Sequence, residues 1–161
     1  AIAVFADKER TRRRDEGVPL GRTRVGVHTG IAVVGNFGGN RFFDYTAVGD
    51  TVNVAARLES ANRAVGTTVL ISAATRERAS GAFRPVGRVL VKGRREPVMC
   101  YEPVTDEDAA YDAAYQALID GEDKAATLFE ALLEQHPDDG LIRLHAARSR
   151  AGKRDDIITT A

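Results

Sequence analysis

Residues 24–59 read RVGVHTGIAVVGNFGGNRFFDYTAVGDTVNVAARLE, and the spacing of their glycines and apolar residues decides the fold. RTRVGVHTG sets Arg22 and Arg24 against Val25 and Val27, an alternation that predicts a strand. IAVVGNF follows Gly30 and predicts its hairpin partner. Gly35, Gly38 and Gly39 mark a second reversal, and FFDYTAVG predicts a third strand. These glycines do not fit G-x-x-x-x-G-K-S/T, so they read as hairpin turns and not as a phosphate loop. Gly49 and Asp50 then open a helix, TVNVAARLESANRAVG, with Asp50 or Thr51 as its N-cap. Asn53 and Arg57 share one face of that helix, and Thr46 lies just upstream. A hydroxyl, a carboxamide and a guanidinium aimed at one spot can read a base, orient a ribose and neutralise a phosphate.

Upstream, AIAVFADKERTRRRDE predicts a helix over residues 1–16, ended by Gly17 and Pro19. Downstream, TTVLIS predicts a short buried strand and SAATRERA a helix capped by Ser72. GRVLVKG and REPVMCYEPV predict two strands around a tight turn at Gly93. The order βββαβαββ, with a helix in front, belongs to the α+β class: a sheet with helices on one face. At Thr105 the texture changes, which divides the chain into residues 1–104 and 105–161. DEDAAYDAAYQALIDG, DKAATLFEALLEQHP and DGLIRLHAARSRAG predict three helices separated by Gly121 and by residues 137–140. Ala125, Phe129, Leu132 and Pro137 stand as in a tetratricopeptide-like unit. One such unit cannot bury its own face, so it must pack on the first part or on further repeats. The ending KRDDIITTA is polar and is expected to fray.

The 23 Lys and Arg balance the 23 Asp and Glu, so there is no general pull toward nucleic acid or anionic lipid. The local cluster Arg10, Arg12, Arg13, Arg14 reads as a solvated helix face or a dimer rim. A single cysteine, Cys100, excludes an internal disulfide; its place in VMCYEPV reads as a buried structural thiol. No apolar run approaches the roughly 18 residues of a membrane span, and the start does not read as a signal peptide. A first residue Ala1, with no initiator Met, leads us to expect a piece of a longer protein, so membrane attachment would come only through segments outside it.

DYTAVGDTVNVAARLE resembles the central motif of the class III adenylate and guanylate cyclase catalytic domain. VHTGIAVVGNFG resembles the hairpin before that motif, and VKGRREPVMCYEP the closing hairpin of the same domain. The resemblance covers roughly residues 1–104 and implies the C-terminal half of a ferredoxin-like cyclase homology domain, followed by the helical tail. It implies a base-reading role for Thr46, a ribose-orienting role for Asn53, a transition-state role for Arg57 and a triphosphate contact for Lys92. Adenine offers an amine donor that Thr46 can accept, and many bacterial adenylate cyclases carry Thr here, so ATP is expected over GTP.

In the family two Mg²⁺ or Mn²⁺ ions are held by carboxylates of the first strand and the hairpin after it, elements absent from this chain. No metal ligand is therefore expected among these residues: Asp44 reads as a strand-end residue, Asp50 as a helix cap and His28 as structural. Family enzymes are dimers with shared sites, and Phe37, Phe42 and Phe43 of the FGGNRFF hairpin are a candidate dimer arm. The expected function is an adenylate cyclase half-domain acting in a homodimer on the cytoplasmic side and inactive alone. The alternatives are a catalytically inactive regulatory domain, or a protein-interaction module whose tail binds a partner.

Overall fold

The structure, a computed structural model, describes residues 2–18, 20–39 and 42–160. Helix α1 (Ile2–Asp15) comes first and ends at Gly17, whose φ of 78° suits a residue without a side chain. Pro19, the second expected stop, lies outside the described residues. On the exposed face of α1, Glu9 pairs with Arg12 and Arg13 and Glu16 with Arg12, so these cations are matched along the helix.

The strands then run β1 (Val25–Val27), β2 (Val33–Gly39) and β3 (Phe42–Val48), followed by helix α2 (Asp50–Val65) and β4 (Val69–Ser72). Helix α3 (Ala73–Arg76), β5 (Ala82–Leu90) and β6 (Val98–Val104) complete the first part. The main sheet has the order β1-β4-β6-β5-β7, and β2 and β3 form a separate two-stranded ribbon. This is the α+β arrangement read from the sequence, but the pairing of β1 differs. β1 is not the hairpin partner of β2: it pairs in parallel with β4, Val25 opposite Val69 and Val27 opposite Ile71. Packing explains the choice. Gly26 lies so close under α2 that a methyl group there would sit 2.2 Å from the Glu59 amide nitrogen and 2.3 Å from the Ala55 carbonyl oxygen. The β1 backbone is thus committed to α2, and β2 turns away to pair with β3 along its whole length, Val33 opposite Val48 and Gly39 opposite Phe42.

Val54, Leu58, Ala61, Asn62 and Val65 recur at helical spacing and form the buried stripe of α2. Asn62 is fully buried and fully used. Its Nδ2 donates to the carbonyls of Val25, Leu58 and Glu59, and its Oδ1 accepts from the Thr67 hydroxyl at 2.7 Å. One carboxamide therefore fastens β1 to α2 and to the loop beyond it. The N-cap of α2 is Gly49, without a side-chain hydrogen bond; Asp50 and Thr51, the two residues expected as caps, are the first two helical residues. Ser72 does cap α3, accepting from the Thr75 amide.

β5 starts five residues earlier than GRVLVKG suggests, because Pro85 is accommodated at a bulge between Pro85 and Gly87. Cys100 is buried on β6 and donates to the Val98 carbonyl; burial pushes its thiol up to about 12. Past β6 come α4 (Ala109–Ile119), α5 (Lys124–Gln135) and α6 (Gly140–Arg150), the three expected helices. Asp108 and Asp139 cap α4 and α6 by accepting from two backbone amides each. Ala125, Phe129 and Leu132 are buried, and the tail packs on the first part: the Tyr111 hydroxyl donates to the Pro85 carbonyl at 2.7 Å. Val65, Val86, Tyr111, Phe129, Ile142 and Ile158 belong to one continuous apolar core. The ending does not fray. Residues Ile157–Thr159 form β7, which adds in parallel to the edge of β5 and buries Ile158. Three successive β-branched residues supplied that strand signal, masked by the charged run before them. No helix of the described residues is long and apolar enough to cross a membrane.

Candidate active site

Opposite its buried stripe, α2 presents Val52, Asn53, Ala56 and Ser60 to the outside, with Arg57 half-buried. Arg57, Ser60 and Ala64 of α2, Val91 to Gly93 of the β5–β6 turn and Thr160 line a cleft of about 1020 Å³. The turn is shaped by Gly93, with φ of 77°, and the Arg94 amide closes it on the Val91 carbonyl. Gly93 also makes room for Arg57: a methyl group there would lie 3.4 Å from Nη2. Arg94 Nη1 reaches Asp50 Oδ2 at 2.6 Å, tying this turn to the first residue of α2.

The structure thus brings Arg57 and Lys92 to one cleft. Among the described residues neither has a carboxylate partner, and Arg57 makes no side-chain hydrogen bond. This sets Arg57 apart from Arg84, Arg88 and Arg94, each of which is paired with a carboxylate. A planar fork of donors and an ammonium are left to face whatever enters. Asn53 stands one turn before Arg57 on the same side of α2, exposed and without a side-chain hydrogen bond among the described residues, in contrast to the saturated Asn62. Thr46 is exposed on β3 opposite Gly35 and does not line this cleft; neither does Asn53.

His28 bonds through Nδ1 to the Ser72 hydroxyl at 2.8 Å. Burial lowers its pKa, with the positive charge of Arg94 adding to the effect. A neutral ring that positions β1 against the start of α3 is the role this geometry supports. Asp44 lies inside β3 opposite Phe37 and not at its end. Among the described residues no group of three or more His, Cys, Asp or Glu side chains could hold a metal ion, so the residues present do not fit a two-metal centre. The ribbon exposes apolar surface at Phe37, Phe43 and Tyr45; the Phe42 side chain lies outside the described residues. Sequence reasoning missed Arg94, Ser60 and Thr160. Arg94 had a local signal in the cations after Gly93, whereas Thr160 reaches the cleft only through the pairing of β7.

Residues 4–102 match the family model described as the adenylate and guanylate cyclase catalytic domain. The chain is 48% identical over 94 residues to "Adenylate cyclase 1" of Rhizobium meliloti, covering 57% of this chain and 14% of that protein. It is 46% identical over 77 residues to "Soluble guanylate cyclase gcy-33" of Caenorhabditis elegans, covering 44% of this chain and 8% of that protein. The crystal structure of the adenylyl cyclase CyaB from P. aeruginosa aligns with a TM-score of 0.55 at 33% identity, covering 65% of this chain and 54% of that one. The chain therefore spans a small part of these curated relatives and about half of the solved one. Matched over more than half of its length, it belongs to the adenylate and guanylate cyclase catalytic domain family.

Proposed function

We propose that, within the complete protein, this chain supplies the charge-stabilising half of an adenylate cyclase site that converts ATP to 3′,5′-cyclic AMP and pyrophosphate. The observation that carries the reading is the cleft in which Arg57 and Lys92 stand together without carboxylate partners. In the reaction the ribose 3′-hydroxyl gives up its proton to solvent, its oxygen forms a bond to the α-phosphorus, the bond to the bridging oxygen breaks, and pyrophosphate leaves. Negative charge grows on the phosphoryl oxygens, and the protein acts mainly by positioning and electrostatics. Arg57 is the group to meet that charge, at a contribution of about 3 kcal/mol typical of one such donor. Lys92 neutralises the β- or γ-phosphate. Asn53, uncharged, holds the ribose, and Thr46 offers its hydroxyl to the base. Asn53 and Thr46 lie outside the cleft of this single chain, which fits a site completed by a second copy docked on the exposed ribbon. The two Mg²⁺ or Mn²⁺ ions expected of such an enzyme would need carboxylates from outside these residues. A cytoplasmic location follows from ATP as substrate.

The test is product formation with Mn²⁺ and either ATP or GTP, by the complete protein and by this chain alone. Cyclic AMP from the complete protein and none from the chain supports the reading. Arg57→Ala in the complete protein should lower turnover about a hundredfold or more with an unchanged circular dichroism spectrum. Cyclic GMP as the main product would reassign the substrate. No product at all would leave a regulatory domain.

A further inference from the structure

The tail touches both walls of the cleft. On the α2 side, its C-cap Gly66 and the first residue of α6, Gly140, meet backbone to backbone. A methyl group on Gly66 would lie 2.5 Å from the Gly140 carbonyl carbon, and one on Gly140 would lie 2.5 Å from the Gly66 carbonyl oxygen. On the other side, β7 pairs with β5 immediately before the turn that carries Lys92. The Arg88 amide donates to the Asp156 carbonyl at 2.9 Å. The Thr160 amide and hydroxyl both donate to the Leu90 carbonyl, at 3.1 and 3.3 Å. The buried Asp156 carboxylate is held twice more, by Arg88 Nε at 2.6 Å and by the Tyr115 hydroxyl of α4 at 2.8 Å. Gly87, with φ of 123°, admits this approach, since a methyl group there would sit 2.5 Å from the Asp156 carbonyl oxygen.

We infer that the tail and β7 form a clamp that fixes the gap between Arg57 and Lys92, with Asp156 and Tyr115 as positioning residues for the nucleotide's phosphates. The consequence for catalysis rests on the cyclase reading above; the clamp itself is a statement about geometry. Helix α6 braces the end of the helix that carries Arg57. The Tyr115–Asp156–Arg88 chain holds the strand that leads to Lys92. Asp156 is outside the cleft and touches no phosphate-binding group, so any effect of its loss on nucleotide affinity must travel through β5.

Asp156→Ala in the complete protein tests this. Amide hydrogen exchange over residues 88–94 should quicken about tenfold, and KM for ATP with Mn²⁺ should rise about tenfold while kcat stays within about twofold. Asp156→Asn, which keeps one acceptor for Arg88 and a donor toward Tyr115, should restore both readouts. A fall in kcat at unchanged KM, or exchange and KM equal to wild type in a folded variant, would overturn the clamp. If Asp156→Ala does not fold, Tyr115→Phe replaces it, with an expected KM rise of about threefold; an unchanged KM again overturns the clamp. Absence of cyclic AMP from the wild type would defeat the cyclase reading, and hydrogen exchange alone would then decide the clamp.

Discussion

Arg94 Nη1 lies 2.6 Å from Asp50 Oδ2, so the loop that carries Lys92 and Gly93 is fastened to the opening turn of the helix that carries Arg57. Asp50 is 72% exposed at its side chain, and an ion pair so open to water stabilises the fold by about 1 kcal/mol or less. Its value lies in placement. Arg94→Ala should leave the urea midpoint nearly unchanged and raise KM for the nucleotide severalfold. Enzyme kinetics beside a denaturation curve checks the split, and an unchanged KM would remove the placement role.

Gly93→Ala should affect both fold and site. A φ of 77° costs a residue with a side chain about 1 kcal/mol, and the added methyl would press on Arg57 Nη2. The expected result is a small loss of stability with a loss of turnover larger than that strain explains. Equal losses in the two would show that Arg57 is not displaced.

Arg84 joins Glu102 of β6 and Asp139 at the cap of α6, both at 2.7 Å, with its own side chain 16% exposed. Burial, which would lower its pKa, is outweighed by these two carboxylates, and the net shift is upward. Burial raises the Glu102 pKa even against the pull of Arg84. Removing the cation strands two half-buried carboxylates. Arg84→Ala should cost about 3 kcal/mol, read as a shift in unfolding midpoint, and the loss should shrink as pH falls and the carboxyls protonate.

His145 is fully buried between the rings of Tyr111, Tyr115 and Phe129. Neither imidazole nitrogen has a hydrogen-bond partner among the described residues, although the Val86 backbone lies close enough to favour the charged ring. Burial first, then the charges of Arg148 and Arg84, hold its pKa down to about 4, against a weak opposing pull from Asp156. The unfolded chain takes up this proton near the ordinary imidazole value of 6.5, and the folded chain only near 4. The contribution is therefore complete above the unfolded pKa and is lost as pH falls from there toward 4, by about 3 kcal/mol in all. Urea midpoints at successive pH values should show that decline, and His145→Phe should flatten it.

Much of the fold could be read locally. The α2 stripe, the Ser72 cap, the β2–β3 ribbon and the three tail helices all follow from residues a few positions apart. The pairings that failed are long-range. Nothing near Val25 announces a parallel partner at Val69, because the decision rests on how closely Gly26 approaches α2. Ile157–Thr159 read as a frayed end because the edge it completes lies some 70 positions away. The site divides in the same way. Arg57 stood out through its spacing from Asn53 and Lys92 through family likeness. Their meeting across one cleft, and the ties of Arg94 and Thr160 to it, depend on tertiary structure.

The glycine contact at Gly66 and Gly140 sets a rule for grafting. Exchanging the segment after Val104 for one from another protein would strip an edge from β5 and place an unmatched residue against the end of α2. A working hybrid would have to inherit Gly66 and Gly87 from the same parent as the tail, so these two positions, far from the seam in sequence, belong to the module being moved.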